Sequence, residues 1–362
     1  MLDHPFFNGK RILIIDQSLK VENDRTWCYW EKEEGLFESI VSHQWQFVDF
    51  FSNSFSARLD LCPYRYKMIR GIDLYHYVKT RARQHSNVEW RHERVLSLEP
   101  GAGMATVRTE TGPVRGAYVF NSIFFEKPVI PQKRYFLWQH FTGWMIETKN
   151  DHFNPSVATF MDFRVSQECG TAFMYVLPET TKTALVEYTI FSEQSLEKDQ
   201  YERELKSYIT NQLGIADYEI RHTEFGMIPM TNIKFSPQQG NIFNIGTAGG
   251  QVKGTTGYAF RFIQKRAAQL VDDMVRTGRP RSVSKSDGNR FRFYDNVLLH
   301  VLQKEKMKGA DIFAEIFRKN PPERVLCFLD NETRPGAELK IMRSVPARVF
   351  LPAAITELTR LV

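Results

Sequence analysis

The sequence predicts a mixed α/β fold in which a mostly antiparallel sheet is inserted into a nucleotide-binding domain and the chain ends in helices. Three observations support this prediction. RILIID, residues 11–16, has the pattern of a buried strand that ends in an acid. A glycine-rich turn at residues 246–257 follows the strand-like NIFNIG. The long stretch between these two features is rich in strands and turns.

Composition bounds the kind of protein. The chain has 362 residues, 28 of them phenylalanine, and can bury a large core. Its net charge of +6 comes without a long run of Lys or Arg, so we expect no nucleic-acid partner, although a basic balance suits an anionic membrane surface. The cysteines form no CxxC pair and the histidines no HExxH spacing, which argues against a metal site and indicates a reduced, cytoplasmic protein. The sequence contains no uninterrupted apolar run of about 18 residues, so we expect no membrane-spanning segment.

The first strand ends at Asp16. In a dinucleotide-binding fold, the acid at the end of the second strand binds a ribose, and a first strand with a GxGxxG turn lies roughly 20 residues ahead of it. Only ten residues precede RILIID here. Asp16 is therefore either a ribose-binding acid whose partner strand is missing or an ordinary strand end. GAGMAT, residues 101–106, joins two short strands and opens no helix, so we reject it as a nucleotide-binding motif.

The hydrophobic pattern predicts the elements between and after these features. Strands are expected for TWCYWE, HQWQFVDFF, FSARLDLC, VEWRH, RVLSLE, MATVRTE, AYVFNSIFF, YFLWQHFTGWMIE, SVATFMDFRV, TAFMYVLP and TALVEYTIF, and near residues 218–226. Helices are expected at 71–86, around Tyr201 and Leu205, and after the glycine-rich turn, where Phe260, Ile263, Ala267, Leu270 and Met274 share one stripe that Gly278 and Pro280 end. The last 75 or so residues look helical.

The two nucleotide-fold features lie far apart in the chain. This split layout is typical of flavin enzymes of the glutathione-reductase type, in which a substrate sheet is inserted into the cofactor domain; as an analogy of fold it carries little weight for function. We expect a FAD-binding domain with an incomplete Rossmann part and an interleaved sheet over residues 1–125. A β-sheet substrate domain is expected over 126–230, a returning FAD-binding segment over 231–285 and a helical region over 286–362.

The glycine-rich turn is a candidate cofactor site. Glycine has no Cβ, so the backbone here can approach a flat ring or a phosphate closely. Thr255 and Thr256 are plausible N-cap residues for the following helix, whose N-terminus would direct free N–H groups at a ligand. The alternative is a strand-to-helix turn without a ligand. The candidate cofactor-binding residues of this turn are Gly246, Gly249, Gly250, Thr256 and Gly257.

Glu187 is the candidate catalytic acid. If TALVEYTIF is a strand, Leu185, Glu187, Thr189 and Phe191 share one face and the intervening residues share the other. Glu187 would then be a lone carboxyl among apolar neighbours, and desolvation would raise its pKa and hold it protonated near neutral pH, as a general acid requires. The alternative is a solvent-facing Glu on the surface of a sheet.

Two further charged motifs leave their roles open. In NDRTWCYW, Arg25 lies either near a cofactor or in an ion pair with Asp24 at the entrance of a strand. In MDFR, Asp162 and Arg164 share a strand face and pair either beside a cavity or as a structural salt bridge, and we favour the salt bridge.

Together these pieces resemble one family. NDRTWCYW, YKMIRGIDLY, VFNSIFF, LWQHFTGW, VATFMDFRVSQ, YVLPETTKTALVEYTIFS, GMIPM and NIGTAGGQVKGTTGYAF occur in the order found in flavin-dependent lycopene β-cyclases, especially the bacterial form. The resemblance runs from about residue 6 to past residue 330. Many flavin hydroxylases carry an Asp after the strand that precedes this turn, whereas Thr247 follows Gly246 here, as in the cyclases.

The resemblance implies an activity and a cofactor. The family closes the ends of linear lycopene into β-ionone rings without net oxidation, yet requires reduced FAD, with NAD(P)H a possible source of electrons. A carboxylic acid protonates the terminal double bond, and the family's motif is Glu, then Glu or Asp, then Thr. Glu187 and Thr189 match it, whereas Tyr188 replaces the second acid. Asp16 matches the family's ribose-binding acid at the end of the second strand, and Arg25 stays a candidate cofactor-binding residue. The family's first strand and GxGxxG turn would precede residue 1.

The resemblance also implies a location, because lycopene partitions into lipid. We expect a cytoplasmic protein that associates peripherally with a membrane surface, with the C-terminal helices as the contact. Two alternatives to cyclisation stay open. One is a flavin-dependent reductase or monooxygenase acting on an isoprenoid, and the other is an inactive, truncated carotenoid-binding protein.

Overall fold

The computed structural model describes residues 1–125, 130–281 and 289–360. Its strands are β1 (Ile12–Asp16), β2 (Thr26–Glu31), β3 (His43–Trp45), β4 (Phe47–Phe51), β5 (Ser56–Asp60), β6 (Arg65–Arg70), β7 (Val88–His92), β8 (Val95–Glu99), β9 (Ala105–Thr109), β10 (Gly112–Gly116), β11 (Val119–Asn121), β12 (Phe136–Thr148), β13 (Val157–Asp162), β14 (Thr171–Pro178), β15 (Thr183–Ser192), β16 (Tyr218–Thr231), β17 (Gln238–Gln239) and β18 (Ile242–Asn244). Its helices are α1 (Gly71–Arg83), α2 (Lys198–Ser207), α3 (Phe260–Thr277), α4 (Asn289–Gln303), α5 (Gly309–Lys319), α6 (Pro322–Leu329), α7 (Pro335–Ser344) and α8 (Ala347–Thr359). The expected domain boundaries at 125/126 and 285/286 fall at residues outside this description.

The largest sheet of the described residues has seven strands in the order β16-β12-β15-β14-β13-β4-β5. Its pairs are antiparallel except for β13 with β4. The long strand β12 pairs with β16 along its whole length and with β15 from Trp138 to Glu147. The sheet-rich middle of the chain is therefore antiparallel, as its turns predict, and it also recruits two strands from the N-terminal part.

The two faces of this sheet pack against different elements. On β15, Ala184, Val186, Tyr188 and Ile190 pack in a core that includes α2. Leu185 and Phe191 belong to the larger core, which contains residues of α4, α5 and α6 together with Trp30 of β2 and Tyr66 of β6. This alternation is the one that the sequence predicts for a strand, and it places the odd-numbered residues of β15 on the side of the C-terminal helices.

The nucleotide-fold part contains two short parallel pairs. β1 pairs with β7, and β11 pairs with β18. The predicted strand AYVFNSIFF is shorter than expected and ends at Asn121, because the Asn121 side chain donates to Asn244 Oδ1 and to the Ile123 carbonyl and turns the chain. The glycine-rich turn follows β18, as predicted.

The helix after the glycine-rich turn starts later than predicted. α3 begins at Phe260, and Thr255 and Thr256 are not its N-caps. Backbone bonds between Lys253 and residues 257 and 258 close a separate turn first, with Gly257 at a φ of +70°. Phe260, Leu270 and Met274 of the predicted stripe are buried, whereas Ala267 is exposed. Gly278 ends the helix in the left-handed conformation, as predicted.

None of the helices in the described part of the chain combines the length and the apolar character that crossing a bilayer requires.

Candidate active site

The candidate site is a row of three residues on neighbouring strands of the large sheet. Gly143 on β12 is the Cα partner of Glu187 on β15 and of Glu224 on β16. Residues directly paired across antiparallel strands point to the same face of a sheet. Because Gly143 has no side chain, Glu187 and Glu224 face each other across the space above it.

Glu187 lies on the face that its strand pattern predicts. It is partly buried rather than solvent-facing, and Thr189 Oγ1 donates a hydrogen bond to Glu187 Oε1 at 2.6 Å. Burial, followed by the negative charge of Glu224, raises the pKa of Glu187 to about 8. The carboxyl is therefore held protonated near neutral pH, but it is not the lone carboxyl that the sequence predicts.

Sequence reasoning misses Glu224. Its side chain is 4% exposed, and Thr26 Oγ1 donates to Glu224 Oε2 at 2.8 Å. The other oxygen, Oε1, is buried and receives no hydrogen bond from any N–H group or hydroxyl of the described residues. Burial also raises the pKa of Glu224. The alternation of β16 could have indicated this residue, because Glu224 lies an even number of residues from the buried Met230 and so faces the same side of the sheet.

Aromatic side chains surround the acid pair. Tyr175 on β14 is the Cα partner of Glu187, and its hydroxyl lies 3.3 Å from that of Tyr258. The Tyr258 hydroxyl also lies 3.1 Å from that of Tyr66, and its ring packs edge-on against Trp30 with centroids 4.5 Å apart. Since Tyr258 directly follows Gly257, the end of the glycine-rich turn lies over the sheet face that carries Glu187.

The end of the glycine-rich turn packs closely against β12 and leaves buried polar atoms without partners. A Cβ on Gly257 would lie 2.1 Å from Gln139 Oε1, and Gly257 has a φ of +70°, so any other residue would displace the Gln139 side chain and strain the backbone. Thr256 Oγ1 and Gln139 Oε1 are both buried without a hydrogen-bond partner among the described residues. Such orphaned polar atoms are costly unless a partner satisfies them. The polar edge of a flat ligand would supply that partner.

The start of the same turn is also tightly built. Gly246 and Gly250 have φ angles of +61° and +70°, and a Cβ on Gly249 would lie 2.3 Å from the Asn244 carbonyl oxygen. A cavity of about 120 Å³ adjoins Thr247 and Gly250. The structure thus brings the predicted glycines of this turn together at the end of β18.

Asp16 and Arg25 each interact with a close neighbour in the chain. Asp16 Oδ1 accepts a hydrogen bond from the Ser18 N–H at 2.8 Å, and the Asp16 charge acts on Arg25. The Arg25 guanidinium pairs with Asp24, and both of these charges act on Glu224. Arg25 thus forms the ion pair with Asp24 that the sequence offered as one of its two roles.

The Asp162–Arg164 pair has a structural role, as we favoured from the sequence. Arg164 donates to both oxygens of Asp162 at 2.9 and 2.6 Å. The Tyr208 hydroxyl, on the α2 side of the sheet, donates to Asp162 Oδ2 at 2.8 Å. The Asp162 carboxyl is thereby saturated on the side of the sheet where α2 packs.

Two sizeable cavities lie away from the acid pair. One of about 590 Å³ is lined by Arg70, His76 and Tyr77, and one of about 380 Å³ by Lys79 and Trp90. Neither is lined by the two carboxyl groups. Across residues 1–125, 130–281 and 289–360, no cluster of three or more His, Cys, Asp or Glu side chains could hold a metal ion.

The fold occurs in solved flavin enzymes. A geranylgeranyl bacteriochlorophyll reductase-like protein from Thermoplasma acidophilum has a TM-score of 0.63 at 15% identity, over 99% of this chain and 94% of that one. HpxO from Klebsiella pneumoniae, solved with FAD and uric acid, has a TM-score of 0.57 at 11% identity, over 91% and 98%. The flavin-dependent brominase Bmp2 has a TM-score of 0.56 at 13% identity, over 98% and 93%. At such identities the likeness shows the fold alone, and it confirms the predicted glutathione-reductase-type fold.

Sequence comparison identifies the family. No curated protein matches the chain significantly. The profile of the lycopene cyclase protein family matches residues 8–354, and this span contains the glycine-rich turn, both carboxyl groups and most of the C-terminal helices. Because the match covers nearly the whole chain, this protein belongs to the lycopene cyclase family.

Proposed function

We propose that this protein cyclises the ends of lycopene to β-ionone rings, with Glu187 as the acid that starts the reaction. The observation that carries the proposal is the Glu187 carboxyl, whose pKa is raised to about 8 on a sheet face walled by aromatic rings. An uncharged alkene is a poor base, so its proton donor must be a neutral carboxyl in a dry environment. Membership of the lycopene cyclase family supports this choice of substrate.

The residues of the site each have a task in the proposed reaction. Glu187 gives its proton to the terminal double bond, and the resulting tertiary cation is attacked by the neighbouring alkene, after which a ring proton is lost. Thr189 orients the Glu187 carboxyl through its 2.6 Å hydrogen bond. The faces of Tyr175, Tyr258 and Trp30 stabilise positive charge and exclude water, which would trap the cation as an alcohol.

FAD is the cofactor that the proposal requires. The orphaned Thr256 Oγ1 and Gln139 Oε1, with the close approach at Gly257, fit the edge of a flavin ring. When bound, reduced flavin would supply negative charge beside the cation, with NAD(P)H as the source of electrons. The chain would hold FAD through Asp16, Arg25, Gly246, Gly249, Gly250, Thr256 and Gly257.

Tyr188 stands where the family motif has its second acid, but it has no role beside Glu187. Its side chain packs on the opposite face of the sheet from Glu187, in the core beside α2, and is 2% exposed. A carboxyl at this position would therefore point away from the Glu187 side of the sheet, so its absence does not weaken the proposed acid.

The C-terminal helices carry a surface suited to a membrane, and we assign the proposed peripheral contact to α8. Leu351, Ile355 and Leu358 lie one turn apart and are 60%, 54% and 53% exposed. Arg348, one turn before Leu351, is exposed, as are Lys340 and Arg343 of α7, whereas the acidic residues of α7 and α8 are buried. An apolar stripe bordered by basic side chains fits the surface of an anionic bilayer.

Expression in a lycopene-accumulating host tests the proposal. We expect red lycopene to be replaced by yellow-orange cyclic carotenoids, identified by chromatography against standards. The purified chain should convert lycopene in liposomes without consuming NADPH in proportion to product. Proportional NADPH use would favour the reductase or monooxygenase, and unchanged lycopene with no bound flavin would favour a carotenoid-binding protein.

A further inference from the structure

We propose that Glu224 is the partner carboxyl of Glu187, that the two groups share one proton, and that Glu224 controls the protonation of Glu187. The catalytic meaning of this inference rests on the proposed function. The sharing of a proton is a property of the protein itself and can be measured without substrate.

The strand register brings the two carboxyl groups together. Both residues are Cα partners of Gly143, and a Cβ on Gly143 would lie 3.0 Å from Glu224 Cγ and 3.0 Å from Leu185 Cδ1. Any larger residue at position 143 would therefore occupy the space between the carboxyl groups. The glycine keeps this space open in the middle of an otherwise bulky sheet.

The surrounding hydrogen bonds leave one free oxygen on Glu224. Thr189 donates to Glu187 Oε1 and Thr26 donates to Glu224 Oε2, so each carboxyl is fixed through one oxygen. Glu224 Oε1 is buried without an N–H or hydroxyl donor from the described residues. Two ionised carboxylates only accept hydrogen bonds and repel each other. A proton carried by Glu187 satisfies Glu224 Oε1 and removes the repulsion.

The other titratable groups around the pair do not supply this proton at neutral pH. The charge of Arg25 acts on Glu224, but Arg25 is already paired with Asp24. Burial raises the pKa values of the thiol and the phenols that face the pair, which therefore remain neutral; these groups are Cys28 of β2, Tyr66 of β6, Tyr175 of β14 and Tyr258 of the glycine-rich turn.

A shared proton gives a balanced reaction cycle. The O–H bond of Glu187 breaks as a C–H bond forms at the terminal alkene, which leaves two carboxylates beside one carbocation. After ring closure, a ring C–H bond breaks, its electron pair forms the ring double bond, and the proton returns to the carboxyl pair. No net proton, oxidant or reductant is consumed, in agreement with a cyclisation without net redox change.

Glu224→Gln tests this inference, with Glu219→Gln as the control. Glu219 lies on the same strand but is exposed and paired with Arg221. The ionisation of Glu187 can be followed by infrared titration of its protonated carboxyl band, which is assigned by its loss in Glu187→Gln. In Glu224→Gln, Glu187 should ionise about one pH unit or more below its value in the parent. The reason is that the negative charge of Glu224 is gone and the new amide can donate a hydrogen bond to ionised Glu187. The alkaline limb of the pH profile of kcat/KM for cyclisation should shift to lower pH by the same amount. Glu219→Gln should change neither the infrared titration nor the pH profile.

Each outcome decides one of the two proposals. An unchanged Glu187 titration in Glu224→Gln overturns the shared proton, even if the parent cyclises lycopene. A shifted titration in a parent that makes no cyclic product upholds the shared proton and overturns the proposed function. Should Glu224→Gln fail to fold, Thr26→Val removes a hydrogen bond that favours ionised Glu224, so the pair should titrate at higher pH; an unmoved titration would then overturn the inference.

Discussion

At the scale of single residues, the raised pKa of Glu187 makes the stability of the protein depend on pH. The pKa of an ordinary Glu is 4.5, and in the folded protein that of Glu187 is about 8. Below pH 4.5 the Glu187 carboxyl is protonated in both the folded and the unfolded state and does not change the free energy of unfolding. As pH rises toward 8, only the unfolded state ionises freely, so the free energy of unfolding falls. Glu187→Gln should therefore gain stability over the parent across this range, measured by denaturant unfolding; a pH-independent difference would contradict the raised pKa.

The two acids also differ in how far the sequence could predict them. The face of Glu187 follows from alternation within a single strand, and the structure agrees with it. Glu224 also alternates in phase with buried residues, but nothing local says which residue of another strand it meets. That pairing depends on the register of β12 with both neighbours, which forms only when the sheet assembles.

At the scale of elements, Gly143 on β12 holds open the space between the acids. Gly143→Ala should destabilise the fold by about 1–3 kcal/mol, because the added methyl group overpacks a buried site. It should also push the Glu224 side chain from its position and lower the rate of cyclisation at unchanged flavin content. Thermal unfolding and product chromatography measure the two effects. Parental stability together with parental activity would contradict the packing described for this row.

The glycine-rich turn gives a second prediction at this scale. Gly257→Ala should reduce bound flavin, measured as flavin absorbance per folded protein, because the methyl group would collide with Gln139 as well as strain the backbone. Gly278→Ala is the matched control, since Gly278 has a similar φ of +75° but nothing within 4 Å of an added Cβ. Equal loss of flavin in both variants would show that strain alone, and not the site, is responsible.

The boundaries of this turn show where local prediction stops. The sequence predicts a strand, glycines and then a helix, and all three are present. It places the N-cap at Thr255 or Thr256 because such residues usually cap helices. The structure instead closes a separate turn around Lys253 and delays α3 to Phe260, which turns Tyr258 toward Tyr66 and Tyr175. Those tertiary contacts, and not helix propensity, set the boundary.

At the scale of the whole molecule, the exposed stripe of α8 predicts binding to membranes. Leu351→Ser combined with Ile355→Ser should weaken sedimentation with anionic lipid vesicles, because two large apolar side chains no longer enter the bilayer surface. Leu96→Ser combined with Met104→Ser, which alters exposed apolar residues elsewhere, is the control. If both double variants sediment like the parent, α8 is not the contact.

The overall architecture could be predicted from the order of the elements, because a strand ending in an acid and a distant glycine-rich turn frame a run of antiparallel strands. Packing between distant parts could not. The central sheet takes β4 and β5 from the N-terminal part, and the Glu187 side of the sheet belongs to a core closed by the C-terminal helices. These contacts join segments far apart in the chain, for which periodicity gives no information.

The most direct test of the central claim follows the proton itself. Cyclisation of lycopene by the purified chain in D₂O should place a single deuterium in each new ring, measured by mass spectrometry, because the Glu187 proton exchanges with solvent before it is transferred. Glu187→Gln should bind flavin as the parent does, and its cyclisation rate should fall by about 10²–10⁴-fold. Rings without deuterium, or a Glu187→Gln variant that cyclises at the parental rate, would contradict the assignment of Glu187 as the acid.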